Sequence, residues 1–329
     1  MRELMIRDAI REALDEEMAR DDRVYLMGED VGANGGTFKC SAGLWEKYGD
    51  LRCKDSPISE QGFVGMGVGA ALTGLRPIVE IMFADFMMVC GDQLFNQMPK
   101  ITYMSGGQCN VPMVVRTALG GGRSNAAQHA QTIHAWAAHI PGVKVVMPST
   151  AGECKGLLKT AIRDNNPVIF FEHKMLYTTA FDDVPDVGED ICIPFGKARF
   201  VTEGDDITLV TNSMMTVKAI KAVKQLQKEG IGVDHIDLRT IVPLDTDSII
   251  KSVKKTGKLL IVDEGCIEFG ITGEIYARVM PEVFYDLEAP IERMGTGHVP
   301  IPFSPALEFP LIPDDKKIAA KIREMVGAG

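Results

Sequence analysis

The chain has 329 residues, more than one hydrophobic core usually serves, so two domains are expected. Apolar residues make up 46% and charged ones 24%, the balance of an ordinary soluble globular protein. A net charge of −10 argues against a phosphate-backbone binder, which needs a basic face, so no nucleic-acid partner is expected.

The first 22 residues, MRELMIRDAIREALDEEMARDD, read as a charged helix. They lack the apolar core of a signal peptide and the acid-poor bias of a transit peptide. No apolar run reaches membrane-spanning length, so no membrane association is expected. Seven scattered cysteines with no C-x-x-C suggest reduced thiols and a cytoplasmic setting.

Strand-like runs follow at 24–27, 77–83, 112–118, 143–148 and 167–172, separated by longer helical stretches at 84–104 and 150–166. Apolar strands alternating with helices imply a mostly parallel sheet covered on both faces. The pattern weakens over the acidic, proline-bearing stretch 178–196, then restarts with strands at 206–212, 233–239 and 258–265. The expected fold is therefore α/β with two domains, 1–180 and 197–329, each a mostly parallel sheet covered by helices, joined by a linker at 181–196. Near the end, Ile318, Ile322 and Met325 recur at helical spacing and predict a helix with one packed face.

Gly65, Gly67 and Ala70 fit G-x-G-x-x-A, the spacing of a dinucleotide turn. Such a turn follows a buried strand directly, whereas DSPISEQGFV precedes Gly65 here. The run reads better as a helix of small residues that lets a neighbour approach closely. A nicotinamide enzyme is the weak alternative it leaves. Glu60, at the head of that run, is by composition a helix-end carboxylate, or an acid set in apolar surroundings for chemistry.

In GGGRSNAAQHAQTIHAWAAH (120–139), His129, His134 and His139 stand five residues apart. Steps of about 140° around a helix cannot put them on one face, so a zinc triad is not expected. A glycine-rich loop delivering His129 is the better active-site design. His134 and His139 read as packing or capping residues. No nucleophile elbow or phosphate-binding P-loop motif is present.

Several stretches together resemble one family: MGEDVGANGGTFK (27–39), DSPISEQGFVG (55–65), GLRPIVEIMFADF (74–86), DQLFNQMPKITYMSGG (92–107), AAQHAQ (126–131) and IDLRTIVPLD (236–245). The chain is similar to β subunits of the E1 component of 2-oxo acid dehydrogenase complexes, including the acetoin enzymes. The resemblance implies a transketolase-type pyrimidine-binding domain followed by a transketolase C-terminal domain. It implies thiamine diphosphate as cofactor, with Mg²⁺ held by a partner α subunit in an α2β2 assembly. Gly204-Asp205-Asp206 opens a strand, but no matching asparagine follows it, so this chain is expected to be half of an active site. The acyl product would pass to the lipoyl group of an E2 partner.

By the same resemblance Glu60 matches the acid that hydrogen-bonds N1′ of the aminopyrimidine. Loss of hydration favours the neutral form of an acid, which suits that task. Phe86 matches the aromatic packed on the pyrimidine, with Met82 and Tyr103 in lining segments. His129 matches the active-site histidine of a Q-H-S-Q segment, here Q-H-A-Q, so Ala130 removes a neighbouring hydroxyl. Met113, Ala161, Ile162, Asp164 and Asn166 match a structural K⁺ site of some relatives. Competing readings are a non-catalytic scaffolding subunit and a self-contained transketolase-like enzyme.

Overall fold

The structure is a computed structural model that describes residues 1–327. The chain divides into two compact units, Met1–Leu119 with Trp136–Phe195, and Gly120–Ala135 with Gly196–Gly329.

The first unit contains β1 (Arg2–Met5), α1 (Ile6–Arg20), β2 (Val24–Gly28), α2 (Leu44–Tyr48), β3 (Cys53–Asp55), α3 (Glu60–Leu72) and β4 (Arg76–Ile81). After them come α4 (Met98–Met104), β5 (Val114–Leu119), α5 (His134–His139), β6 (Lys144–Val146), α6 (Ala151–Arg163), β7 (Val168–His173) and β8 (Ala180–Val184), α5 beginning at the boundary of the units. Its main strands run in the order β6-β7-β5-β4-β2-β3, all parallel. β2, β5 and β7 are buried along their whole length, as strands covered on both faces must be. β8 lies inside the stretch expected to link the halves, and pairs antiparallel with β1.

The small residues of α3 let it lie close to this sheet. A methyl group on Gly67 would sit 2.8 Å from Val79 of β4 and 2.9 Å from Met113, whereas Gly69 faces open space. The G-x-G-x-x-A run lies wholly within α3, so it forms no dinucleotide turn. The stretch 84–104 is not one helix. It breaks into a 3₁₀ turn (Ala84–Met88), a π turn (Gln93–Gln97) and α4. Pro99 has no N–H to donate and is tolerated only in a first helical turn, so the α-helix starts just before it.

The second unit contains β9 (Arg199–Thr202), β10 (Ile207–Thr211), α7 (Ser213–Lys228), β11 (Val233–Asp237), β12 (Thr240–Val242) and α8 (Thr246–Thr256). It continues with β13 (Leu259–Cys266), α9 (Ile271–Val283), β14 (Glu292–Thr296), α10 (Pro305–Leu311) and α11 (Asp315–Val326). Its sheet runs β14-β13-β10-β11-β9, parallel except for the edge strand β9. Ile318 and Ile322 of α11 are buried against α7 and the sheet, with Met325 packed beside them, as their spacing predicts.

Candidate active site

In the first unit, β2 ends at Gly28 and places Glu29 just beyond the sheet. The following loop is pinned by Asp55, whose Oδ1 accepts the Gly32 N–H at 2.6 Å. β3 then leads through Pro57 to α3, whose first residue is Glu60. Both acids are nearly buried, Glu29 at 9% and Glu60 at 7% exposure. Burial raises the pKa of Glu29, and the charges of Glu60 and Asp30 raise it further. Cys90 is pushed up to about 12, by burial first and then by Glu60. The Glu29 carboxyl thus sits in poorly hydrated surroundings within reach of the Glu60 charge.

Three buried oxygens around the head of α3 make no hydrogen bond to the described residues: Glu29 Oε1, Ser56 Oγ and Gln93 Oε1. Buried polar atoms are normally partnered, so this cluster marks a place where a polar ligand would be received. Phe86 and Met82 are half-buried in the adjoining segment, and Phe86 meets Phe83 edge to face at 6.0 Å. Tyr103 does not join them in a buried wall: it is 88% exposed near the end of α4. Glu29 is the residue that sequence reasoning missed. Its position directly after a fully buried strand, three residues before a glycine-rich turn, is the signal that could have found it.

The residues matched to a K⁺ site lie at the end of α6. The carbonyls of Ile162 and Asp164 accept Arg76 Nη1 at 2.9 and 3.0 Å. Met113 gives its carbonyl to Val168, and the Ala161 carbonyl faces the Asp164 N–H. Asp164 itself is paired with Lys144 and accepts the Asn166 N–H and side-chain amide at 2.9 and 3.0 Å. The cation facing the Ile162 and Asp164 carbonyls is Arg76's own guanidinium. Among the described residues no group of three or more His, Cys, Asp or Glu could hold a metal.

In the second unit, His129 lies in the loop Gly120–Ile133, half-buried, and its N–H reaches the Ala126 carbonyl at 3.4 Å. Ala130 beside it is buried at 1% exposure, so the methyl group packs where the resemblance has a hydroxyl. His134 is fully buried, with Nε2 3.0 Å from Asp263 Oδ2. Burial disfavours the Asp263 charge, but His134, Asn212 and the Gly265 N–H together hold its carboxyl below the usual range. His134 is therefore an anchor of the loop rather than a ligand.

Two family models match the chain: the transketolase pyrimidine-binding domain over residues 2–179, and the transketolase C-terminal domain over residues 196–318. A solved structure of a split-gene transketolase, described as an inactive β4 tetramer, shares the fold. Its TM-score is 0.77 at 22% identity, with 99% of both chains covered. The fold and the two matched domains thus define a transketolase-type protein. Curated relatives narrow this. The chain is 46% identical to the β subunit of acetoin:2,6-dichlorophenolindophenol oxidoreductase of Cupriavidus necator, covering 100% of this chain and 99% of that one. It is 46% identical to the pyruvate dehydrogenase E1 β subunit of Rickettsia felis, with 98% of each covered. It is 44% identical to the 2-oxoisovalerate dehydrogenase β subunit of Bacillus subtilis, with 97% of each covered. The chain belongs to the family of E1 β subunits of 2-oxo acid and acetoin dehydrogenases.

Proposed function

We propose that the chain is the β half of a thiamine-diphosphate-dependent E1, which decarboxylates a 2-oxo acid or cleaves acetoin and passes the acyl group to the lipoyl group of an E2 partner. The observation that carries this reading is the buried pair Glu60 and Glu29, with the orphaned Glu29 Oε1 beside it. When bound, the cofactor supplies a thiazolium carbon nucleophile and a sink for the carbanion left by decarboxylation.

The chain's own residues tune and position. Glu60 holds the proton at N1′ of the aminopyrimidine, in surroundings that keep water away from that bond. Burial, and then the charge of Glu60, raise the pKa of Glu29 and favour its neutral form. Phe86 and Met82 supply apolar surface for the flat ring. His129 handles the proton at the substrate carbonyl and during acyl transfer. Mg²⁺ and the diphosphate fall to an α subunit, in an α2β2 assembly in the cytoplasm. Three substrates are named among relatives of nearly equal identity, so the specificity is left to the α chain's share of the pocket.

The test is co-expression with an α chain, followed by isolation and titration with thiamine diphosphate. Stoichiometric, tight binding with turnover on one of the three substrates supports the reading. A stable αβ complex that neither binds the cofactor nor turns over refutes it.

A further inference from the structure

The loop that carries His129 has an unfavourable backbone. Ser124 and Ala126 have φ of 54° and 59°, and Gly120 and Gly122 have φ of 99° and 90°. Side-chain-bearing residues keep such angles only where their surroundings hold them. The turn that contains Ser124 is held by two acids far along the chain. Glu264, on β13, accepts the Gly121 N–H at 2.6 Å. Glu308, on α10, accepts the Gly122 N–H at 2.7 Å and the Ser124 N–H at 2.8 Å, one on each carboxylate oxygen. The Ser124 hydroxyl lies 3.4 Å from the same Oε2. Glu308 is fully buried, and Glu264 is 5% exposed.

A buried carboxylate is costly unless several aligned donors face it. Here the donors are three amides of one short turn. The carboxylates occupy the concave, amide-lined face that such a turn would otherwise offer to an anion. At the far end of the loop, His134 against Asp263 closes the second fixing point. His129 lies between the two.

We propose that Glu308, assisted by Glu264, is a positioning residue: a carboxylate clamp on residues 121–124 that presents His129 in one orientation for acyl transfer. The proposal rests on the role given to His129 above.

The test uses the assembled αβ enzyme with a lipoyl domain, comparing E308Q, H129A and the double variant. Glutamine keeps the shape but can accept only one of the two N–H groups. Two things are read: amide exchange over residues 121–131, and decarboxylation (followed with an artificial electron acceptor) against acyl transfer to the lipoyl domain. The expected result for E308Q is faster exchange in the loop and acyl transfer down about tenfold or more. Decarboxylation should fall clearly less than acyl transfer, and adding H129A should cause little further loss, as for residues acting as one unit.

Normal acyl transfer in E308Q, with H129A defective, overturns the proposal. So does an equal loss in both half-reactions together with a lower melting temperature, which marks a merely structural acid. If H129A itself transfers normally, the role of His129 fails instead, and exchange alone decides the clamp: unchanged exchange in E308Q overturns it, and faster exchange sustains it. Should E308Q not assemble, Glu264→Ala removes one of the three amide bonds and is expected to shift the same readouts less far; no shift in any of them counts against the clamp.

Discussion

Arg116 and Glu172 meet through two parallel hydrogen bonds of 2.7 and 2.8 Å between neighbouring strands β5 and β7. Both side chains are buried, and Glu80 on the other side of Arg116 adds a bond of 2.8 Å. Tyr177 donates to the same Glu172 at 2.7 Å. Burial works against the Arg116 charge, but Glu172 and Glu80 keep it protonated. Removing one member leaves charges without partners in a dry sheet. We expect Arg116→Met to destabilise the protein by about 3 kcal/mol or more. Urea denaturation of the variant reads this, and a midpoint shift of a few tenths of a molar would show that the neighbouring acids neutralise at little cost.

Glu60→Gln keeps the volume and removes the acid. The expected outcome is turnover lower by about a hundredfold or more, with the αβ assembly intact, as befits loss of a positioned proton donor and acceptor. Steady-state kinetics with size-exclusion chromatography of the same sample check both halves. Wild-type turnover in this variant would remove Glu60 from the chemistry.

Gly67 and Gly69 lie two residues apart on α3 and should respond oppositely to alanine. A methyl group on Gly67 runs into Val79 and Met113 in the core, and such overpacking costs about 1–3 kcal/mol. On Gly69 it meets nothing, and relief of glycine's helix penalty should stabilise by about 0.5–1 kcal/mol. Thermal melts of the two variants test the contrast, and shifts of the same sign would contradict the packing of α3.

His235 gives the second unit a pH dependence of known sign. It is buried, with Nε2 2.7 Å from Thr211 Oγ1. Burial, and then the charge of Arg199, push its pKa from 6.5 down to about 3. As pH falls, the unfolded chain takes up this proton first. The stabilisation is therefore complete above about pH 6.5 and declines steadily as pH falls toward about 3. His235→Gln should flatten the profile by at most about 1.4 kcal/mol per pH unit across that window. Denaturation midpoints at several pH values, wild type against variant, would reveal parallel profiles if the histidine played no part.

The strands of both sheets were legible because burial on both faces leaves continuous apolar runs such as 24–27 and 259–262. β8 was not, since AFDDV belongs to a small two-stranded sheet, is half exposed and carries two acids. The stretch 84–104 looked like one helix because helical periodicity does not register a π turn or the effect of Pro99. The roles proposed for Glu60 and His129 rest on family resemblance, and their surroundings left no pattern in the sequence. Glu29 follows a strand and resembles any polar strand end until its burial beside Glu60 is seen. Arg76 lies 86 residues before the carbonyl it occupies at Ile162, and no local pattern reports that distance.

The carboxylate that grips Gly122 lies 186 residues downstream of it. During synthesis the histidine loop therefore emerges long before its anchor exists. The parallel sheet of the first unit can begin to assemble on local segments, as domains emerging from a ribosome generally do. The loop must wait for residue 308, and closing so long an interval is intrinsically slow. A nascent chain stalled short of α10 should then be cut readily by protease within residues 121–131, and one released beyond it should resist. On the role proposed for His129, competence would thus be the last property acquired.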